Sequence, residues 1–176
     1  MIETARLIVR PWRDADRAPF AAMGRDAAVM RFIGPPQSRA EADAAIDRMI
    51  AMQAAHGHCF WAVERRADGA LLGFCGIKPG RWPIEGLPEI GWRLGSAHWG
   101  QGYAREAAQA CLDWAWATRD WPYVYAITVP ANSASWGLMR RLGMARLADG
   151  DFEHPEVPEG SPLKSHVTYR IARPVA

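Results

Sequence analysis

Three stretches of this 176-residue chain combine residue types and spacings that could do chemistry. The first is Trp99-Gly100-Gln101-Gly102-Tyr103-Ala104, which lies between a segment of strand character and one of helix character. A glycine turn that opens a helix aims several backbone N–H groups and the positive helix end at one point, and an anionic pyrophosphate is the natural occupant. A Cβ would obstruct both the dihedrals of such a turn and the close approach of phosphate oxygens. A plain connection that uses glycine for geometry alone would read the same way. The second stretch is Glu89-Ile90-Gly91-Trp92-Arg93-Leu94, a strand with an acid at its edge. The third is Asn132-Ser133-Ala134-Ser135. There Asn132 has the form of a helix N-cap, and Ser135 falls in the first turn, where serine is commonplace.

Other phosphate-binding turns fit poorly. A P-loop needs Lys followed by Ser or Thr after its second glycine, and a dinucleotide turn needs a third small residue three positions after Gly102. Position 105 is Arg, and no lysine is near.

The elements needed to position these residues can be read from the pattern. Leu7 to Arg10 reads as a first strand ended by Pro11, with Asp14 placed to cap a short helix reaching about Met23. Ser38-Arg39-Ala40-Glu41 has capping-box form, and Ala42, Ala45, Ile46, Met49 and Ile50 recur at helical spacing toward His56-Gly57. Phe60–Arg65 and Leu71–Ile77 flank Asp68-Gly69, a pair suited to a tight hairpin turn. Pro79–Pro88 is a loop, and Gly91 within the following strand hints at a bulge or a close backbone approach. Tyr103 to about Thr118 has one apolar face, Ala104, Ala107, Ala108, Cys111, Leu112 and Ala115, against Arg105, Glu106, Gln109 and Asp113. Tyr123–Val129 is a strand, Ser133–Leu142 a helix closed by Gly143, and His166–Arg173 a last strand after an acidic, proline-rich loop. The fold class expected is α/β (α+β), a single domain over residues 1–176 with a twisted mixed sheet and helices on both faces.

Composition narrows the function. The net charge is +2 with scattered arginines, so nucleic acid is not expected as a ligand. No segment is apolar enough to span a bilayer, and Cys59, Cys75 and Cys111 lack pairing motifs, so they read as reduced core residues of a cytoplasmic protein. The nine tryptophans read as core packing and edge covering. No pair among the five histidines has metal spacing with a third ligand, so no metal is expected.

Taken together, Glu89 to Leu94, His98 to Ala107, Asn132 to Ser135 and Arg141 to Met144 resemble the GNAT superfamily of N-acetyltransferases, in its RimJ/RimL-like branch. The resemblance runs from Thr4-Ala5-Arg6-Leu7 to His166-Val167-Thr168-Tyr169. It implies a sheet whose middle strands splay apart around acetyl-CoA, with Trp92, Arg93 and Leu94 offering backbone groups to the pantetheine arm. Trp99, Gly100, Gln101, Gly102, Tyr103, Ala104 and Arg105 would then hold the pyrophosphate, and Asn132 and Ser135 would also touch the coenzyme. Two positions depart from the wider pattern: Ala97 stands where Arg or Gln is usual, and Met139 where a proton-donating Tyr is usual. Arg105 reads equally as a solvated residue, and Arg140 and Arg141 suit a helix C-terminus.

The resemblance implies acetyl transfer to a primary amine of a peptide N-terminus, a polyamine or another small amine. An amine must be neutral to attack a thioester, yet a lysine amine has a pKa of about 10.4 and an α-amine about 7.7 to 8.0, so a base or a water relay is useful. Glu89, where partial burial would raise its pKa, is the expected base, and Ser135 the expected proton donor to the leaving thiolate. A solvated strand-end carboxylate and a plain helix-turn serine are the bland counterparts. Asp149, Asp151, Glu153, Glu156 and Glu159 in one loop suggest a cationic acceptor, with His154 and His166 flanking it. A non-catalytic acyl-CoA sensor, an antibiotic-modifying enzyme and a homodimer all remain open at this stage.

Overall fold

Successive side chains on a strand point to opposite faces, so a single strand shows which helices lie on which side of a sheet. On β4 (Leu71–Pro79), Phe74 meets Phe20 of α1 (Arg17–Arg25) at a ring-centroid distance of 6.3 Å. The adjacent Cys75 instead meets the thiol of Cys111 on α4 (Tyr103–Thr118). α1 and α4 therefore cover opposite faces, in the mixed α/β architecture expected of the sequence. The computed structural model describes residues 1–175.

The other elements, in chain order, are β1 (Ile2–Glu3), β2 (Leu7–Arg10), α2 (Ala27–Met30), α3 (Arg39–His56), β3 (Phe60–Arg65), β5 (Pro88–Leu94), β6 (Tyr123–Thr128), α5 (Ser133–Arg141), β7 (Ala145–Arg146), β8 (Phe152–Glu153) and β9 (Ser165–Ala172). The sheet order is β1-β2-β3-β4-β5-β6-β9-β7, with β8 beside β9. All pairs are antiparallel except β5 with β6, which α4 connects. That parallel pair is in register at Glu89↔Tyr125 and nowhere further along, although β4 pairs β5 all the way to Leu94. From Ile90 to Leu94 the edge of β5 toward β6 is consequently open.

Local chemistry explains the elements that hold this opening. Ser38 Oγ accepts from the Glu41 N–H at 3.2 Å, and Glu41 Oε2 accepts from the Ser38 N–H at 2.7 Å, so the expected capping box starts α3. The apolar stripe of α4 is fully buried at Ala107, Ala108, Cys111, Leu112 and Ala115. Trp61 and Trp114 lock α4 to β3 with edge-to-face rings 4.9 Å apart. All three cysteines are buried and free. Burial pushes the Cys59 thiol up to about 12, which leaves no reactive thiolate at neutral pH. Among the described residues no helix is long and apolar enough to cross a membrane.

Two expectations need correction. Gly91 makes no bulge, since β4 and β5 pair without a register shift, and what comes close to it is the ring of Phe60 and not another backbone. Asp14 does not cap the first helix. It opens a 3₁₀ turn over Asp14–Asp16, and the buried Asp16 stands at the start of α1.

The Asp16 carboxylate receives Arg10 through two bonds, at 2.7 and 2.8 Å, and the Arg13 N–H at 2.8 Å. Burial acts to raise its pKa, but the Arg10 and Arg13 hydrogen bonds outweigh it and hold the carboxyl below its ordinary value. A folded value below the unfolded one gives stability that is complete above the unfolded pKa, about 3.9, and is lost as pH falls through the folded value. Asp16→Asn should thus lose about 2 kcal/mol at neutral pH, from the weakened charge-assisted bonds. The gap to the wild type in urea midpoint should close below about pH 4. An equal gap at every pH would remove the ion pair as its cause.

Candidate functional site

The site begins where β5 ends. A 3₁₀ turn over Ser96–His98 leads to Trp99, whose indole N–H donates to the Leu94 carbonyl at 2.8 Å and pins the loop against the strand. Gly100 and Gly102 follow at φ 72° and 81°, left-handed values that a side chain strains. A Cβ on Gly100 would meet nothing within 4 Å, so the dihedral requires this glycine and crowding does not. Gly102 stands at the N-cap of α4 with no side-chain cap. Among the described residues the backbone N–H groups of 100 to 105 have no acceptor, and they form a set of free donors at a helix N-terminus.

Residues remote in sequence brace this turn. Arg6, between β1 and β2, donates to the Gln101 carbonyl at 2.9 Å and to Glu106 at 2.6 Å, with its guanidinium 4.5 Å from the Tyr103 ring centroid. Thr4 Oγ1 donates to the same Glu106 carboxylate at 2.6 Å. Neither Arg6 nor Glu106 announces this contact in the sequence, because nothing local pairs positions a hundred residues apart.

From this turn a cavity of about 850 Å³ extends along the open edge of β5 to α5, a volume typical of small-molecule sites. Every expected site residue lines it except Gln101, whose side-chain amide turns back to the Ala97 carbonyl at 3.1 Å. Trp92 and Trp99 are among the lining residues.

Glu89 is buried, and its Oε2 accepts a short hydrogen bond from Lys78 Nζ. The two residues are direct cross-strand neighbours of β4 and β5. The acid is therefore half of an ion pair, with Oε1 bonded to no described residue. Lys78 escaped the sequence reading because its neighbour is set by the register across the 80–87 loop.

Gly91 and Arg93 share the face of β5 that carries Glu89. A Cβ on Gly91 would lie 2.5 Å from Phe60 Cζ, so the ring of Phe60 occupies the place of the missing side chain. Phe60 stacks on Phe74 with centroids 5.1 Å apart and planes 8° from parallel. Arg93 is buried, 7% exposed, with its guanidinium 4.6 Å from the Phe20 ring centroid and 5.3 Å from that of Phe74.

Across the opening, Asn132 caps α5 by accepting from the Ser135 N–H at 3.3 Å through Oδ1. That leaves its side-chain NH₂ free to donate. Ser135 lines the cavity, and its hydroxyl bonds no described residue. His166 on β9 also lines the cavity; burial lowers its pKa, so it is neutral at pH 7.

A profile of the acetyltransferase (GNAT) domain matches residues 6–145. The chain belongs to this family. A Bacillus subtilis (strain 168) protein, YkkB, is 31% identical over 142 residues, which span 80% of this chain and 83% of that protein. Among solved structures, a GNAT-family acetyltransferase from Bacillus anthracis superposes with a TM-score of 0.80 at 23% identity, over 98% of each chain. RimL, a ribosomal alpha-N-protein acetyltransferase solved with coenzyme A, gives 0.78 at 16% identity, over 96% of this chain and 95% of that one. At these identities the two structures show a common fold.

Met139 is buried against the cavity and has no proton to donate. The acidic loop does not line the cavity at all. Asp151 pairs with Arg146 at 2.5 Å, Glu156 with Arg81 at 2.9 Å and Glu159 with Lys164 at 2.9 Å, so most of its charge is balanced locally. The expectation that this loop recruits a cationic acceptor finds no geometric support.

Proposed function

We propose that this GNAT-family protein transfers the acetyl group of acetyl-CoA to a primary amine, with Glu89 as the base and Ser135 as the proton donor. One observation carries the reading. The free N–H groups of residues 100 to 105, the open edge of β5 and the Glu89 carboxylate all border one cavity. The donor set suits a pyrophosphate, and the open edge suits an amide-bearing pantetheine arm, which can pair with β5 as a strand would.

When bound, acetyl-CoA supplies a thioester whose carbonyl carbon accepts the amine. Glu89 Oε1, the oxygen not engaged by Lys78, takes a proton from the ammonium and releases the nitrogen lone pair. Lys78 keeps the carboxylate oriented toward the opening. Ser135 Oγ–H gives its proton to the departing sulfur and is reprotonated, through water, by the second proton that the nitrogen sheds as the amide forms. Asn132 holds the first turn of α5, and thereby the Ser135 hydroxyl, in place.

Protonating a thiolate of pKa about 8.5 helps without being indispensable, so the loss of Ser135 should hurt moderately. Ser135→Ala is expected to lower kcat roughly ten- to a hundred-fold while leaving acetyl-CoA affinity nearly intact. Full activity would reduce Ser135 to a helix-turn residue. The amine assignment is tested by thiol release with matched primary and tertiary amines. Only the primary amine should support it, and equal release with both would point to hydrolysis.

A further inference from the structure

Arg93, one of the residues that line the cavity, is a buried positive charge with no counter-ion among the described residues. Of the five Arg93 donors only those on Nη1 are engaged, weakly, with Met30 Sδ at 3.3 Å and Gln37 Oε1 at 3.2 Å. Nε is buried without a partner, and Nη2 bonds no described residue. Burial pulls the guanidinium down to about 10, which leaves it charged at neutral pH. Stacking between Phe20 and Phe74 offsets part of the desolvation, but a buried ion is normally matched by an anion. Compare Arg10, equally buried, which has both Asp16 and Glu64.

The rest of the lining agrees. Glu89 is the single acid among the lining residues, and Lys78 already neutralises it; Arg31, Arg93, Arg105 and Arg141 stand against it. Arg105 belongs to the glycine turn and Arg141 to the end of α5. Arg93 is on the other face of the sheet, the face of α1 and Glu89. There the stacked rings of Phe60 and Phe74 separate the Arg93 guanidinium from the Lys78–Glu89 pair. A polycation would find no acid to receive its further charges.

We infer that the acceptor is a primary amine that also bears a carboxylate, separated from the amine by an apolar stretch, and that Arg93 binds this carboxylate while Phe60 and Phe74 carry the stretch. The inference rests on the acetyl-transfer reading and specifies its substrate class. The carboxylate can belong to a free amino acid or to an acidic residue close to a peptide N-terminus.

The test compares acceptors that differ only in that charge. Straight-chain ω-amino carboxylates are set against their primary amides, and peptides with Glu near the N-terminus against the same peptides with Gln. Spermidine serves as the polycation. One charge-assisted pair predicts kcat/KM about 10- to 100-fold higher for the carboxylate member, carried mainly by KM. The free acids or the peptides will show the larger ratio and so identify the source. Arg93→Gln should bring the ratio to about one, and Arg93→Lys should restore part of it. A wild type that treats carboxylate and amide alike, or prefers spermidine, overturns the inference, as does an Arg93→Gln variant that slows both members equally. If Arg93→Gln does not fold, the wild-type ratio alone decides. If acetyl-CoA binds but no amine is acetylated, the transfer reading has failed by itself. Calorimetry with CoA present then decides on Arg93: tighter binding of N-acetyl amino acids than of their amides sustains the anion site, and equal binding refutes it.

Discussion

Gly102→Val is expected to weaken acetyl-CoA binding about a hundred-fold, the largest effect on the coenzyme predicted for any single residue. Gly102 holds φ 81°, a region that costs an L-residue roughly 1 to 2 kcal/mol and a β-branched one more. The chain can relieve that strain only by rotating the turn, and rotation turns away N–H donors that would each contribute about 1.5 kcal/mol or more to a charged phosphate. About 3 kcal/mol in all corresponds to the hundred-fold loss, at 1.4 kcal/mol per factor of ten. The turn is at the surface, with only Arg6 Nη2 near the new Cβ, at 3.4 Å, so the fold should survive. Gly102→Ala should fall between the two. Calorimetry with acetyl-CoA reads the effect, and an unchanged Kd would remove the turn from coenzyme binding.

Glu89→Gln should lower kcat about a hundred- to a thousand-fold at neutral pH, within the range of general-base catalysis, with acetyl-CoA affinity little changed. The sign of its pH dependence follows from the acceptor. A base matters most where the amine is mostly protonated, below about 7.7 to 8.0 for an α-amine and about 10.4 for a lysine-like one. The deficit should therefore narrow as pH rises toward the amine's own pKa, because free amine then forms unaided. A deficit of the same size across the whole range would mean that Glu89 holds the strand pair together and takes no proton. Lys78→Met serves as a companion, since it leaves the carboxylate but frees it from its partner; a smaller kcat loss than in Glu89→Gln is expected.

Several elements that depend on local pattern were legible in the sequence. The capping box at Ser38, the hairpin at Asp68-Gly69, the glycine turn and the apolar stripe of α4 are each written within a few residues. The structure finds them all. Asp14 and Asp16 have the same chemistry two residues apart, and only the structure shows Arg10 beside Asp16. Lys78 and Arg93 mark a deeper limit. Their meaning depends on which residues face them across a sheet, and that is fixed by strand register and loop length. An arginine in a strand reads as polar and unremarkable until its neighbours prove to be two phenylalanines and no acid. The partners of the acidic loop were hidden for the converse reason, because Arg81, Arg146 and Lys164 are near it in space and only partly so in sequence.

The acetyl-transfer account is tested most directly by incubating the wild-type protein with acetyl-CoA and a mixture of primary amines, including ω-amino carboxylates, peptides and spermidine, and resolving the products by mass. The account predicts at least one amine carrying a single added acetyl group, formed in equal amount with free coenzyme A thiol and lost in Glu89→Gln. Tight coenzyme binding without any acetylated amine would contradict it and leave a protein that holds acetyl-CoA without turning it over.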